Sequence, residues 1–476
     1  MKYGKYSALS AILIGQLAGP LDGAMVNVSL PTIGEELGIS ISATGWVMVI
    51  YFLFSASFMV SFGRLGDLAG RRKIFCYGLL IFAASSAAGG LSVNYGMLVT
   101  ARAVQALGSG MFTATLPALV TSTFPEKERG KALGITSTTV SVSLAVGPFL
   151  GGMISGTLGW RYVFFITPVL AVLSASLCRR FVPESHVSYD ESMDVYGAFL
   201  LLALLAPAIL ALGQGRYWGW GSPATVGLVL IALCMAWLFA RHERSAIYPV
   251  IDLKLFRIPT FTLSNLASAA SYVAFQAVVF STPFFLQYYK GMPPQAVGLI
   301  VAVANTTSLL FLFPSGILSD RIGTMSLELI GMFFVILCLA LLAMAGSELT
   351  LLIIILALLS LGAGYGLFRS PNYSAVMGSV PRASLGVAGG VYGTMRHLGL
   401  LTGIAMASTM MGEWAVKRQV AEGAGSALNN PSFQAAVRNA YMAGFLVALL
   451  GLLLLAIKYF YLSSGRETIG RRNYGV

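Results

Sequence analysis

Charge is scarce in this sequence. Asp, Glu, Lys and Arg make up 10% of its 476 residues, against roughly 25% in soluble domains. The length would suit about three soluble domains, but so little charge rules that reading out. Acids are the scarcer sign, 18 against 30 Lys and Arg, for a net charge of +12. The three histidines, His186, His242 and His397, show no metal-ligand spacing, and no Ser/His/Asp arrangement is visible. A metal centre and an enzyme site are therefore not expected. The four cysteines, Cys76, Cys178, Cys234 and Cys338, lie in or at the ends of apolar runs without CxxC spacing. They need no disulfide and are read as packing residues.

What the chain has is apolar length. Hydrophobic residues make up 57% of it and the mean hydropathy is +0.80. Runs of about 20 apolar residues recur from end to end, each able to cross roughly 30 Å of hydrocarbon as a helix. The fold class expected is an all-α polytopic membrane protein with about 14 transmembrane helices and cytoplasmic N- and C-termini. The 53 glycines fit it, because small residues let membrane helices approach closely. The opening MKYGKYSALSAILIG is similar to a signal peptide. Its apolar run continues past Asp22 without a small-residue cleavage site, so it is kept as a mature helix.

The basic residues orient the chain. With the N-terminus inside, about 22 of the 30 Lys and Arg fall in inner loops and tails and about 6 in outer ones. Arg102 and Arg396 fall within spans. This asymmetry places the protein in the cell membrane, in contact with the bilayer, and leaves no basic arm for nucleic acid.

The first six spans are expected near residues 8–28, 41–62, 74–91, 95–121 and 133–154, with a sixth stopping at Arg179 and Arg180. Pro31 is expected to end the first. A polar connection, VPESHVSYDESMD, precedes two shorter spans near 195–212 and 224–240. Six more follow near 261–285, 297–313, 327–345, 351–368, 386–411 and 440–461. The longest outer loop, about 412–438, reads as mobile. The resulting division is a six-helix bundle over 1–181, a linker with two extra helices over 182–256, and a second six-helix bundle with its tail over 257–476. One repeat supports it. Gly63-x-Leu65-x-Asp67 with Gly70 recurs as Gly316-x-Leu318-x-Asp320-Arg321-x-Gly323, each after the second helix of a six-helix block. Parallel repeats of this kind place a substrate site between two halves near the midplane.

Asp22 is the residue around which the chain is organised, because a carboxylate inside an apolar span is costly and marks a functional site. It lies about 14 residues up from the inner end of the first span, about 21 Å. Arg102 lies about 7 residues down from the outer end of the fourth, about 10 Å. Across a core of about 30 Å the two depths nearly coincide. The two groups are expected to pair or to bridge through water, with Gln105 and Gly108 on the same helix face toward the interior. The functional reading is that Asp22 loads and releases a proton while Arg102 tunes it. The bland reading is a permanent ion pair that fixes packing.

These residues resemble the major facilitator superfamily. GRLGDLAGRRK is similar to its inner-loop signature, here Gly63, Asp67, Gly70, Arg71 and Arg72, with Asp320 and Arg321 in the second copy. The resemblance implies that this loop latches the inner side of the two halves. LVTARAVQALGSG resembles the signature carrying the buried arginine of the fourth helix, with Ala106 where glycine is usual. AVGPFLGGMISG resembles the antiporter signature, through Gly147, Pro148, Gly151 and Gly152. LDGAMVNVSLP resembles the first-helix signature of the fourteen-helix drug:proton antiporters, departing at Ala24 and Ser29. WRYVF and the extra helix pair fit that branch too.

The resemblance implies a proton-coupled antiporter for multidrug efflux, with no cofactor beyond the proton as coupling ion. A small molecule is the expected partner and the monomer the expected working unit. Cavity candidates are Asn27, Tyr51, Gln105, Tyr272, Phe275, Gln276, Asn305 and Arg396. Glu328 and Glu413 sit near span ends, so no second acid lies mid-span. Without one to offset a second positive charge, lipophilic monocations or neutral amphiphiles are expected over dications. The glycines of LGAGYGLF sit in an apolar helix with no preceding strand and read as packing, not a dinucleotide loop. Two alternatives stand beside drug efflux: export of a specific metabolite or lipid, and a non-transporting receptor or sensor on the same scaffold.

Overall fold

The computed structural model of the protein describes residues 4–184, 194–247, 249–344, 349–381, 385–419 and 430–463. Among them there is no strand. The chain forms α1 (Lys5–Leu37), α2 (Ile41–Ala69), α3 (Arg71–Gly90), α4 (Tyr95–Thr123), α5 (Glu126–Thr157) and α6 (Val163–Phe181). Then come α7 (Val195–Trp218) and α8 (Pro223–Ser245). The last six are α9 (Pro259–Phe284), α10 (Pro294–Ile322), α11 (Thr324–Met344), α12 (Leu351–Gly378), α13 (Leu385–Gln419) and α14 (Pro431–Ser463). Thirteen of the helices have a window long and apolar enough to cross a membrane among the described residues. The fourteenth, α13, packs between α2, α9 and α14.

Lipid offers no partner to a free backbone N–H or C=O, so the chain stays helical for as long as it is immersed. Several helices therefore outrun the expected limits. Pro31 does not end α1, which runs six residues further to a left-handed Gly38 at φ 62°. Pro371 likewise lies inside α12. The outer N-termini of α2 and α4 are capped by side chains: Ser40 Oγ accepts from Ala43 N at 3.2 Å and Asn94 Oδ1 from Met97 N at 2.9 Å. The connection at 185–193 lies outside the described residues. The long outer loop expected at 412–438 is shorter than expected, since α13 runs to Gln419 and α14 starts at Pro431, and only 420–429 of it lie outside the described residues.

The helices form two six-helix bundles, α1–α6 and α9–α14. They meet along two seams, α5 against α10 and α2 against α13. The α7–α8 hairpin lies against the second seam: α7 packs on both α2 and α13. Thr409 Oγ1 of α13 donates to Gly213 O at 3.2 Å, and Ser61 Oγ of α2 to Asp194 O at 3.3 Å.

At the outer ends the halves are joined. A π-helical turn at Phe285–Tyr289 extends α9 and carries the residues that reach α1. Gln287 Nε2 donates to Val28 O at 3.0 Å and the Tyr288 hydroxyl to Pro31 O at 2.8 Å. Close backbone approach continues this seal along the seams. A Cβ on Gly152 of α5 would stand 2.3 Å from Pro294 O of α10, and one on Gly45 of α2 2.7 Å from Ser408 Cβ of α13. The protein is therefore closed to the outside.

Candidate functional site

Asp22 and Arg102 have no accessible surface. The guanidinium donates from Nη1 to Asp22 Oδ2 at 2.5 Å and to Gln105 Oε1 at 2.7 Å. Gln105 Nε2 in turn donates to Asp22 Oδ1 at 3.0 Å, closing a three-residue ring. Thr167 of α6 adds a long contact to the same oxygen at 3.5 Å. Arg102 Nε donates to Val47 O at 3.2 Å. The flat face of Arg102 lies 4.4 Å from the centre of the Tyr51 ring, a cation–π arrangement. Tyr51 is held from its other end, its hydroxyl donating to Ser109 Oγ at 2.7 Å.

Tyr51 is also where this network ends, because its far side faces the central cavity. That cavity has a volume of about 190 Å³ and lies between the halves. From the N-terminal half, α1 contributes Gln16, Pro20 and Asn27, and α2 contributes Tyr51, Phe52, Ser55 and Met59. Met48, Ser109, Thr113, Val140 and Pro148 also line that wall. The C-terminal half contributes Tyr272, Phe275 and Gln276 from α9 and Asn305 from α10. Tyr365 and Arg369 come from α12, and Arg396 and His397 from α13. Phe275 stacks on Tyr365 with centroids 4.2 Å apart, and Tyr272 meets Tyr365 edge-on at 5.4 Å.

Seven of the eight expected cavity residues thus line it. Gln105 does not, because its amide is spent on Asp22 and Arg102. Of the α4 residues expected to share an inward face, Arg102 and Gln105 turn to Asp22, but Gly108 turns to α3, where a Cβ on it would stand 2.6 Å from Phe82 N. Asp22 itself is absent from the cavity wall, one side chain behind it.

Sequence reading missed Arg369. With the twelfth span ended at 368, this arginine counted among the inner loops. In the structure α12 continues through it and through Pro371, and Arg369 faces the cavity. The cue was an arginine beside the aromatic run YGLF, overridden by the expectation that charge and proline end a span. Arg396 has an Nε that is buried without a hydrogen-bond partner. Two arginines and no carboxylate line the cavity among the described residues. The expected substrates, lipophilic monocations or neutral amphiphiles, would meet a wall that carries positive charge and no anion.

The inner-side motif is helical, not a loop. Gly63 and Asp67 lie in the last turns of α2, and the turn to α3 is Gly70 alone, at φ 103°. Gly323 ends α10 in the same way, at φ 85°. Asp67 pairs with Arg71 at 2.6 Å, four residues on. Arg72 pairs with Glu184 at 3.3 Å and donates to Val182 O at 3.0 Å. The Asp67–Arg71 pair lies within the N-terminal bundle, and Arg72 ties that bundle to the start of the linker at Val182 and Glu184. Arg321 is exposed at the end of α10, and the side chain of Asp320 lies outside the described residues.

The antiporter stretch of α5 has two working faces. Gly147 and Gly151 press on α1, where added Cβ atoms would stand 2.5 Å from Ala24 Cβ and 2.6 Å from Met25 O. Pro148 and Gly152 face the other half across Gly298 of α10. The glycines of α12 are packing residues: Gly362 and Gly366 meet α10 and Gly364 meets α11. A second buried ion pair was not foreseen. Glu328 of α11 and Lys458 of α14 meet at 2.7 Å with almost no exposure.

A model of the Major Facilitator Superfamily matches residues 12–404. The chain belongs to the major facilitator superfamily. The superfamily's members among its relatives include a riboflavin transporter, RibZ, of Clostridioides difficile (strain 630), 30% identical over 86% of this chain and 89% of that one. Multidrug resistance protein Stp of Mycobacterium tuberculosis is 30% identical over 83% of this chain and 73% of its own length. Multidrug transporter protein MdtP of Bacillus subtilis (strain 168) is 26% identical over 86% and 76%. Among solved structures, a D-xylose–proton symporter superposes with a TM-score of 0.67 at 16% identity, over 94% of this chain and 97% of that one. That likeness shows the fold. This major facilitator is therefore a multi-pass membrane transporter and not an enzyme.

Proposed function

We propose that the protein exchanges inward-moving protons for aromatic amphiphilic compounds moving outward, as a monomer, by alternating access of the central cavity. The observation that carries this is the placing of Asp22, buried against Arg102 one side chain behind the cavity. A proton on Asp22 removes the charge that holds the guanidinium. Arg102 is then left to Val47 O, Gln105, Met48 Sδ and the Tyr51 ring. Tyr51 and Met48 front the cavity, so the charge state of Asp22 reaches the substrate wall through these two side chains. Proton and substrate thereby bias the same arginine, and such coupling is reciprocal. Burying the site keeps it from leaking protons when no substrate exchanges.

Substrate added to vesicles holding the wild type is expected to drive a counter-flux of protons. Asp22→Asn is expected to abolish that flux while the protein still folds and inserts. Coupled exchange at the wild-type rate in Asp22→Asn would overturn the assignment.

A second reading, export of one metabolite in place of many drugs, is favoured by the similarity to a riboflavin transporter. The amides of Gln16, Asn27, Gln276 and Asn305 in the cavity wall suit a substrate with several hydrogen-bonding groups. A substrate-panel export assay separates the readings by whether one compound or many are moved.

A further inference from the structure

The charge of the cavity wall is opposite in sign to the charge expected for a drug-binding pocket that accepts cations. Arg369 on α12 and Arg396 on α13 both face the space between the halves. The lining residues include no Asp or Glu among those described. Arg396 Nε is buried without a hydrogen-bond partner. Arg369 stands among the phenol rings of Tyr272, Tyr365 and Tyr392, which bring it no carboxylate. The carboxylate of Asp22 is no substitute, since Arg102 and Gln105 already occupy both of its oxygens.

A guanidinium in a low-dielectric wall needs an anion or many hydrogen bonds, and two of them facing one space make a site for an oxyanion. Arginine suits that role because its planar fork matches carboxylate and phosphate. Beside them, the stacked Phe275 and Tyr365 rings offer a flat apolar surface.

From this we infer that the transported compound is an aromatic anion, its ring system against Phe275 and Tyr365 and its carboxylate or phosphate between Arg369 and Arg396. The inference rests on the reading of the cavity as the transport site and names its substrate class. The amides of Asn305 and Gln276 are left for the polar edge of the ring system. A cation of the same shape is rejected by the two arginines.

The test is equilibrium binding to the purified full-length protein with no proton gradient, so that it does not depend on coupling. Fluorescein, a xanthene dye carrying a carboxylate, is compared with a cationic rhodamine ester of the same ring system. Fluorescein is expected to bind at least tenfold tighter. Arg369→Gln and Arg396→Gln are each expected to weaken it tenfold or more without weakening the rhodamine. Arg396→Lys is expected to recover part of the loss, which a merely misfolded Gln variant does not explain. Displacement of fluorescein by naphthoate identifies a carboxylate site, and displacement by naphthyl phosphate a phosphate site. Naphthol competing as well as either, or rhodamine binding as tightly as fluorescein, overturns the inference. Anion-selective binding without substrate-driven proton flux would leave this inference standing and sink the antiport reading. Proton flux without anion selectivity would do the reverse.

Discussion

Two buried ion pairs in this protein share a chemistry and differ in what surrounds them. Asp22–Arg102 is walled from the cavity by Tyr51 and Met48 and braced by Gln105 and Thr167. Glu328–Lys458 joins α11 to α14, bonded through both carboxylate oxygens at 2.9 and 2.7 Å, and neither member lines the cavity. Desolvation roughly cancels attraction in such pairs, while removing one member strands a charge at a cost of about 3–5 kcal/mol. Lys458→Met is accordingly expected to lower the thermal unfolding temperature markedly. Lys458→Met with Glu328→Leu is expected to restore most of it and to transport as the wild type does. A double variant as unstable as the single one would show that the pair itself holds the two helices. The depth of Asp22 and Arg102 was legible from sequence because rise per residue is fixed along a helix. The bond from Gln105 was not, since which face of α4 meets α1 depends on how Gly108 packs on α3.

At the scale of helices, α5 packs tightly against both halves. Gly147 and Gly151 bind it to its own half, while Gly152 lets the backbone of α10 come within contact. Gly152→Leu places a side chain where Pro294 O and Gly298 now lie, and α5 and α10 must separate. The expected result is a protein open to the outside, inactive in export. Asn27→Cys in the cavity reports it, in a background where the exposed Cys234 is replaced and the three buried cysteines are kept. Externally added charged thiol reagent is expected to label this cysteine faster in Gly152→Leu than in its absence, and equal rates would refute the role. Helix number, the repeat and the α5 glycines were readable because each leaves a pattern in the sequence. Helix ends were not. Rules learned in water stop a helix at Pro31 or at Arg369, but here lipid and neighbouring helices favour its continuation.

The whole molecule is two bundles sealed at the outer ends by Gln287 and Tyr288 against α1, with α7 laid over one seam. The pair of arginines in the cavity then has an electrical consequence. If an anion leaves as each proton enters, two elementary charges cross the membrane per cycle in the same sense. Each is worth about 2.3 kcal/mol per 100 mV, so a cell's own negative interior would drive export by about 4.6 kcal/mol per 100 mV, even with no pH difference. Exchange of a proton for a monocation would move no net charge. In vesicles clamped with valinomycin and potassium, an inside-negative voltage is expected to accelerate efflux of the anion, and a rate indifferent to voltage would exclude it. Arg369 and Arg396 would thus make the transporter a device that runs on voltage as well as on acidity.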